Sequence, residues 1–179
     1  MPAPPLSIEV RAQSGATMGT LLAADARYRC ALGKAGIVML KREGDGGTPH
    51  GRFPLREVFY RPDRIARPAT GLPVAAIGPQ DGWCDDPASP RYNQQVRLPF
   101  AASHEELWRQ DGLYDLIAVI GFNDDPPVPG AGSAIFMHVA RREGEGYGST
   151  AGCVALELPD LIAVLRLCGP GTTIRTTLA

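Results

Sequence analysis

Cys153 and His138 are the two residues of the chain whose types and spacing suit nucleophilic catalysis on a carbonyl group. Cys153 lies in a turn of small residues before an apolar segment, and His138 lies near the end of an earlier apolar segment. A cysteine thiolate attacks carbonyl carbon, and an adjacent imidazole can accept the thiol proton. Taken alone, the pair is as consistent with a buried cysteine and a core histidine as with catalysis.

The small residues around Cys153 offer a second feature that this chemistry needs. The sequence predicts one short turn that contains the backbone N–H groups of Ala151, Gly152 and Cys153. Successive N–H groups of such a turn can point at one position, where they stabilise the oxyanion of a tetrahedral intermediate. We therefore expect these three groups to form an oxyanion site.

A stretch rich in proline and glycine contains further candidates for substrate binding, namely Trp83, Asp85, Asp86, Tyr92 and Asn93. Long ordered loops in compact domains are often functional. A tryptophan beside two carboxylates suits a polar peptide that carries an amine. The alternative is a loop stabilised by aspartate caps and a packed tryptophan, and the sequence favours neither interpretation.

Composition argues against several other classes of protein. The 179 residues suit a single domain over residues 1–179. The net charge of -1 and the even spread of basic residues indicate no nucleic-acid partner. No apolar stretch is long enough to insert into a membrane. The N-terminal residues lack the pattern of a secretion signal, which predicts a cytoplasmic location, or a periplasmic one if that end is truncated or misassigned.

The cysteines and histidines do not follow the spacing of a metal site or of a disulfide framework. The four cysteines are widely separated and the three histidines are scattered along the chain. Structural zinc needs four such ligands, and disulfides need an oxidising compartment. Neither a metal nor a disulfide is expected.

The elements that must position these residues are mostly short strands. The pattern predicts a mainly β fold, a sandwich-like mixed sheet, with a C-terminal helix from Pro159 to Gly169. A capping pattern predicts one short helix from Ser103 to Trp108, and residues 61–100 are expected to be otherwise irregular. The predicted strands are Leu6 to Val10, Gly19 to Ala24, Tyr28 to Leu32, Ile37 to Leu40, Phe53 to Tyr60, Val74 to Ile77, Leu113 to Phe122, Ala134 to Ala140, Val154 to Leu158 and Thr172 to Thr177.

The residues around the cysteine resemble the motif of the YkuD-like L,D-transpeptidase family. That motif is a histidine, a gap, and then [Ser/Thr]-His-Gly-Cys-apolar-[Arg/Asn]; the chain matches it with His138, Thr150, Gly152, Cys153 and Val154. The segment 48–53, Thr-Pro-His-Gly-Arg-Phe, is similar to the family's Thr-Pro-x-Gly-x-Phe segment. The resemblance covers roughly residues 30–177. Two motifs in the right order are more specific than either alone.

The chain departs from this motif at Ala151, where the family has histidine, and at Ala155, where it has arginine or asparagine. Backbone donors do not depend on the first side chain. The second change removes a group expected to hold substrate. Arg141, Arg142 and Arg52 are the candidates to replace it, and Thr150 is a further candidate for substrate binding.

The resemblance implies an enzyme that acts on peptidoglycan stem peptides or muropeptides without a cofactor. Cys153 would attack the L,D-peptide bond of a stem tetrapeptide and release the terminal D-alanine, with His138 as proton donor. Water as acceptor would make an L,D-carboxypeptidase of cell-wall recycling, which the predicted cytoplasmic location favours. An amine acceptor would make a transpeptidase that forms 3→3 cross-links. The substitutions at Ala151 and Ala155 keep a third interpretation open, a catalytically silent module that binds cell-wall peptides.

Overall fold

The computed structural model describes residues 5–179, so residues 1–4 of the segment inspected for a secretion signal lie outside the described residues. The fold is mainly β, as predicted, and the described part has one helix, α1 (Leu158–Leu167). Its strands are β1 (Ser7–Ala12), β2 (Met18–Ala23), β3 (Ala26–Ala31), β4 (Ile37–Val38), β5 (Thr48–Pro49), β6 (Gly51–Tyr60), β7 (Val74–Ala76), β8 (Asp81–Cys84), β9 (Gln95–Arg97), β10 (His104–Glu106), β11 (Leu116–Ile120), β12 (Phe136–Val139), β13 (Arg142–Glu143), β14 (Gly146–Tyr147), β15 (Val154–Leu156) and β16 (Thr173–Leu178).

The main sheet is mixed, as predicted, and it closes on itself in a barrel-like arrangement. Its strand order is β11-β12-β15-β3-β2-β1-β16-β6-β7, and β11 also pairs with β6. Three of the pairings are parallel, β1 with β16, β6 with β7 and β12 with β15. Closure gives each strand from β11 round to β6 at least two neighbours, and β7 remains as an edge strand beside β6.

Strand β11 explains the long apolar run of the sequence, because it is buried on both faces. Leu116, Ala118 and Ile120 belong to the larger hydrophobic core. The alternate residues Ile117 and Val119 belong to a second cluster on the opposite face. Since successive side chains of a strand point to opposite faces, one strand separates two cores.

A three-stranded sheet, in the order β10-β8-β9, contributes to the second cluster. Trp83 of β8 packs there against Phe136 of β12, with ring centroids 5.2 Å apart. The predicted short helix from Ser103 to Trp108 is wrong, because residues 104–106 form β10 and pair with β8. Strand pairing outweighs the local capping pattern there, as tertiary context commonly does. The expectation of irregular structure over residues 61–100 is wrong for β8 and β9, whereas the strand predicted at Val74 is present.

The C-terminal helix is confirmed and begins with the expected signals. Pro159 lies in its first turn, together with Asp160 at the positive end of the helix dipole. Leu161, Val164 and Leu165 are fully buried on one face and join the larger core. In residues 5–179 no helix is long and apolar enough to cross a membrane.

Candidate active site

Cys153 and His138 lie on neighbouring elements and line the same cleft, which has a volume of about 410 Å³. Strands β12 and β15 are parallel neighbours, with Met137 opposite Val154 and His138 opposite Ala155. Cys153 immediately precedes β15. Each of the two side chains is only 6% exposed. The structure therefore brings together the two residues that the sequence singles out for nucleophilic chemistry.

The thiol of Cys153 is held by backbone groups at the start of β12. Its Sγ atom accepts a hydrogen bond from the N–H of Phe136 and donates one to the carbonyl oxygen of Ala134, both at 3.3 Å. Burial raises the pKa of Cys153 to about 12, and the nearby carboxylate of Glu105 acts in the same direction. The resting residue is therefore a neutral thiol.

The imidazole of His138 is oriented by its own strand. Its Nδ1 atom lies 2.8 Å from the carbonyl oxygen of Val139. A carbonyl oxygen only accepts hydrogen bonds, so Nδ1 carries the hydrogen of the neutral ring and Nε2 has a free lone pair. Burial lowers the pKa of His138 to about 4. The ring is therefore a neutral base at ordinary pH.

Thr150 fixes the turn that carries the cysteine. Its hydroxyl donates to the carbonyl oxygen of Cys153 at 2.7 Å and accepts from the N–H of Gly152 at 3.1 Å. The structure thus gives the Thr150 hydroxyl two bonds inside the loop, although Thr150 also lines the cleft. It positions Cys153 through the backbone.

Gly152 is required by both its conformation and its surroundings. Its φ of 145° lies in a region that side chains rarely adopt. A Cβ atom there would also lie 2.8 Å from the carbonyl oxygen of Gly47. The glycine of the cysteine motif therefore packs against the residue that precedes Thr48.

The second sequence motif supports the cysteine turn from behind. Thr48 is fully buried, and its hydroxyl accepts a hydrogen bond from the N–H of Gly33 at 2.9 Å. Gly33 pairs with Thr150, and the next residue, Lys34, donates its N–H to the Thr150 carbonyl oxygen at 2.9 Å. The two motifs are thus one structural unit, joined through residues 33 and 34.

The three backbone groups expected to form the oxyanion site are not equivalent. The N–H of Gly152 donates to Thr150 Oγ1, so it is already occupied. The loop hydrogen bonds of residues 5–179 do not engage the N–H groups of Ala151 and Cys153. These two groups are therefore the better placed donors for an oxyanion.

The arginines considered as replacements for the missing motif side chain lie in different places. Arg141 lines the cleft beside His138. Arg142 forms an ion pair with Glu157 at 2.6 Å and its side chain is 75% exposed, so it is not part of the cleft wall. Arg52 hydrogen bonds to the hydroxyls of Ser7 and Thr173, on the far strands of the barrel.

Trp83 and Asn93 do not line the cleft, and the structure gives them a supporting position behind it. The indole N–H of Trp83 donates to Asn93 Oδ1 at 2.9 Å. The same oxygen accepts from the N–H of Ala134 at 3.0 Å, and Ala134 has a strained φ of 52°. The Ala134 carbonyl accepts a hydrogen bond from the Cys153 thiol, so Asn93 holds the backbone segment that contacts this thiol.

Asp85 lines the cleft, and its Oδ1 atom is buried without a hydrogen-bond partner among the described residues. Asp86 caps a turn by accepting from the N–H of Ala88 at 2.9 Å. The Tyr92 hydroxyl donates to Glu43 and accepts from the N–H of Gly132. Of these three residues, only Asp85 lines the cleft.

Six charged or aromatic residues of the cleft carry no signal in the sequence: Lys34, Lys41, Glu43, Glu105, Arg109 and Tyr114. They come from separate segments, and the fold of the second sheet onto the barrel brings them together. No spacing rule links them. In the described part of the chain, no group of three or more histidine, cysteine or acidic side chains is arranged to bind a metal.

Comparison with known proteins places this cleft in a family. The profile of YkuD, the L,D-transpeptidase catalytic domain, matches residues 18–175. No curated protein and no solved structure matches the chain. The matched range contains both motifs, and the predicted resemblance is confirmed. The chain therefore belongs to the YkuD family of L,D-transpeptidase catalytic domains, whose catalysis acts on peptidoglycan.

Proposed function

We propose that the protein cleaves the L,D-peptide bond of peptidoglycan stem tetrapeptides by cysteine-dependent acyl transfer and releases the terminal D-alanine. The observation that carries this proposal is the placement of Cys153 and His138 in one cleft, at the start of β15 and on its parallel neighbour β12. The oriented base and the unengaged N–H groups beside the thiol support it. Family membership supports the class of substrate.

The first half of the reaction forms a thioester. His138 Nε2 takes the thiol proton as Sγ bonds to the carbonyl carbon, and the oxyanion lies at the N–H groups of Ala151 and Cys153. The carbon–nitrogen bond then breaks, and His138 returns the proton to the departing amine of D-alanine. Since both partners are neutral at rest, the proton moves during attack and no thiolate accumulates beforehand.

The second half returns the enzyme to its resting state. Water attacks the thioester, with His138 as base, and the products are a tripeptide carboxylate and the free thiol. Water needs no second peptide site, and the cleft volume of about 410 Å³ falls within the range typical for one bound ligand. We therefore prefer hydrolysis, which makes the protein an L,D-carboxypeptidase.

A second candidate is transpeptidation, in which the amine of another stem replaces water. The carboxylates of Asp85 and Glu105 line the same cleft, where a carboxylate oxygen can accept a hydrogen bond from the N–H of a neutral attacking amine. The buried, unpartnered Oδ1 of Asp85 is the observation that favours such an acceptor. The product would then be a 3→3 cross-linked dimer.

Recognition of the substrate follows from the charges of the cleft. Arg141 would take the carboxylate that the family holds with the residue replaced by Ala155, because it is the arginine among the three candidates that lines the cleft. Asp85 would take an amine of the stem. Trp83, Asn93 and Thr150 would act through the backbone around Cys153.

Incubation with a disaccharide tetrapeptide tests the proposal, with released D-alanine followed by mass spectrometry. Wild type should release it, Cys153→Ala should not, and Cys168→Ala should keep the activity because Cys168 packs in the core away from the cleft. Adding an acceptor stem separates a cross-linked dimer from a tripeptide. If wild type binds the muropeptide but leaves it intact, as Cys153→Ala does, the protein is a binding module and the enzymatic proposal is wrong.

A further inference from the structure

Tyr114 packs directly on the base of the proposed reaction. Its ring lies edge to face with His138, with centroids 5.4 Å apart and an interplanar angle of 69°. It also contacts Phe136, the residue two positions earlier on the same face of β12, at 5.9 Å. Tyr114 is 6% exposed, so this packing is enclosed. The imidazole is therefore packed against the Tyr114 ring, while its Nδ1 atom is held by the carbonyl oxygen of Val139.

Glu105 fixes Tyr114 in turn. The phenol hydroxyl donates to Glu105 Oε2 at 2.5 Å. This hydrogen bond joins the segment before β11 to strand β10 of the second sheet. A phenol hydroxyl that is bound to a carboxylate makes a charge-assisted hydrogen bond, which is stronger and more directional than a neutral one. The guanidinium of Arg109 lies 4.9 Å from the ring centroid and holds the ring from another side.

We propose that Tyr114, anchored by Glu105, is a positioning residue that fixes the His138 imidazole relative to Cys153. This inference rests on the proposed roles of Cys153 and His138. The second sheet then contributes to the site, because Glu105 belongs to β10 and acts on His138 through its hydrogen bond to Tyr114. Loosening the anchor lowers the fraction of molecules in which Nε2 is aligned with the thiol, and misalignment of this kind lowers kcat.

Glu105 accepts the hydrogen bond that anchors Tyr114, and its charge also acts on the Cys153 thiol. Burial raises the pKa of Glu105, and the Tyr114 hydroxyl opposes that rise. Its charge also raises the pKa of Cys153. Other charged groups that act on these residues are Lys41, Glu43, Asp85, Arg109 and Asp111. A change of charge at Glu105 should therefore be visible in the reactivity of Cys153, whereas a change in ring packing alone should not.

A set of variants separates the tether from simple packing. Tyr114→Phe keeps the ring and removes the hydroxyl, Glu105→Ala removes the acceptor, and Glu105→Gln keeps an acceptor without the charge. We expect kcat for D-alanine release to fall about tenfold in Tyr114→Phe and in Glu105→Ala, with KM nearly unchanged. Glu105→Gln should keep most of kcat, because its amide oxygen still accepts from the phenol. The double variant Tyr114→Phe/Glu105→Ala should lose no more than either single variant, since both remove the same bond.

Alkylation of Cys153 by iodoacetamide supplies a readout that packing alone would not move. At fixed pH Glu105→Gln should be alkylated several-fold faster than wild type, since removing a neighbouring negative charge favours the thiolate. Tyr114→Phe should not be faster. Cooperative thermal unfolding shows that each variant is folded. The inference is overturned if folded Tyr114→Phe and Glu105→Ala keep kcat within about twofold, if their losses add, or if the loss is confined to KM. If wild type is as inactive as Cys153→Ala, the proposed function itself is wrong.

Discussion

The Nδ1 atom of His138 lies 2.8 Å from the carbonyl oxygen of Val139, the next residue of the same strand. This contact leaves Nε2 as the basic atom of the neutral ring. Burial lowers the pKa of His138 to about 4 and raises that of Cys153 to about 12. The resting site therefore contains a neutral thiol and a neutral base. It differs in this respect from cysteine enzymes that store a thiolate–imidazolium pair.

The pH dependence of catalysis should reflect the neutral base. His138 must be unprotonated to accept the thiol proton, so kcat/KM should fall as the pH drops through about 4 and should be flat from about pH 5 to 8. A profile of D-alanine release across this range is the measurement. An acidic limb near the ordinary histidine pKa, about 6.5, would contradict the neutral, buried imidazole.

The same shift should appear in the stability of the fold. The unfolded chain binds a proton on His138 between about pH 6.5 and 4, and the folded chain does not, so this contribution to the free energy of unfolding is present above pH 6.5 and is lost as the pH falls towards 4. We expect wild type to lose about 2–3 kcal/mol more than His138→Gln over this interval. Urea unfolding of both proteins at pH 7 and pH 4.5 measures the difference, and equal losses would contradict the prediction.

The sequence predicts the elements that carry a periodic or motif signal. The apolar residues of β1 and β2, the buried run at β11 and the helix α1, with Pro159 in its first turn, all lie where their patterns place them. Cys153 and His138 are also predicted to meet, and they do line one cleft. These features depend on local patterns of residues, which can be recognised in the sequence without knowledge of distant contacts.

What the sequence does not predict depends on contacts between distant segments. Ser103 and Glu106 fit a helix start, yet β8 recruits residues 104–106 as a strand. Trp83 and Asn93 suit a binding pocket by residue type, but their side chains satisfy each other and Ala134. Glu105 and Tyr114 show no motif at all, because their relationship exists only when β10 packs beside the barrel. Composition cannot reveal which way such side chains face.

The hydroxyl of Thr150 should matter more than its size. Thr150→Val removes two hydrogen bonds of the cysteine turn while it keeps the shape of the side chain. We expect a loss of about 1–3 kcal/mol in the free energy of unfolding and a clear fall in kcat, because the N–H donors and the thiol lose their alignment. Thr150→Ser retains the hydroxyl and should stay close to wild type in both measurements. Equal behaviour of the valine and serine variants would mean that the hydroxyl does not hold the turn.

Replacement of Gly152 should displace the nucleophile. Gly152→Ala adds a Cβ atom 2.8 Å from the Gly47 carbonyl oxygen, at a φ of 145°. Because backbone cannot retreat easily, the turn must move, and we expect loss of most activity together with about 1–3 kcal/mol of stability. Gly144→Ala is a matched control, since Gly144 also has positive φ, 56°, but no atom within 4 Å of the added Cβ. D-alanine release and thermal unfolding should therefore change much less in the control.

Arg141 and Arg142 offer a test of substrate recognition with a built-in control. They are adjacent in the chain, but Arg141 lines the cleft whereas Arg142 is paired with Glu157 outside it. If Arg141 holds a substrate carboxylate, Arg141→Gln should raise KM for the tetrapeptide about tenfold, the effect of losing one charge-assisted contact. The value of kcat should change little, because the contact is made equally in the bound substrate and in the transition state. Arg142→Gln should leave both constants near those of wild type. A larger effect at Arg142, or a fall in kcat alone at Arg141, would show that the carboxylate of the substrate is held elsewhere in the cleft. The next candidate is then Lys34, which lines the cleft and whose backbone N–H donates to the Thr150 carbonyl oxygen.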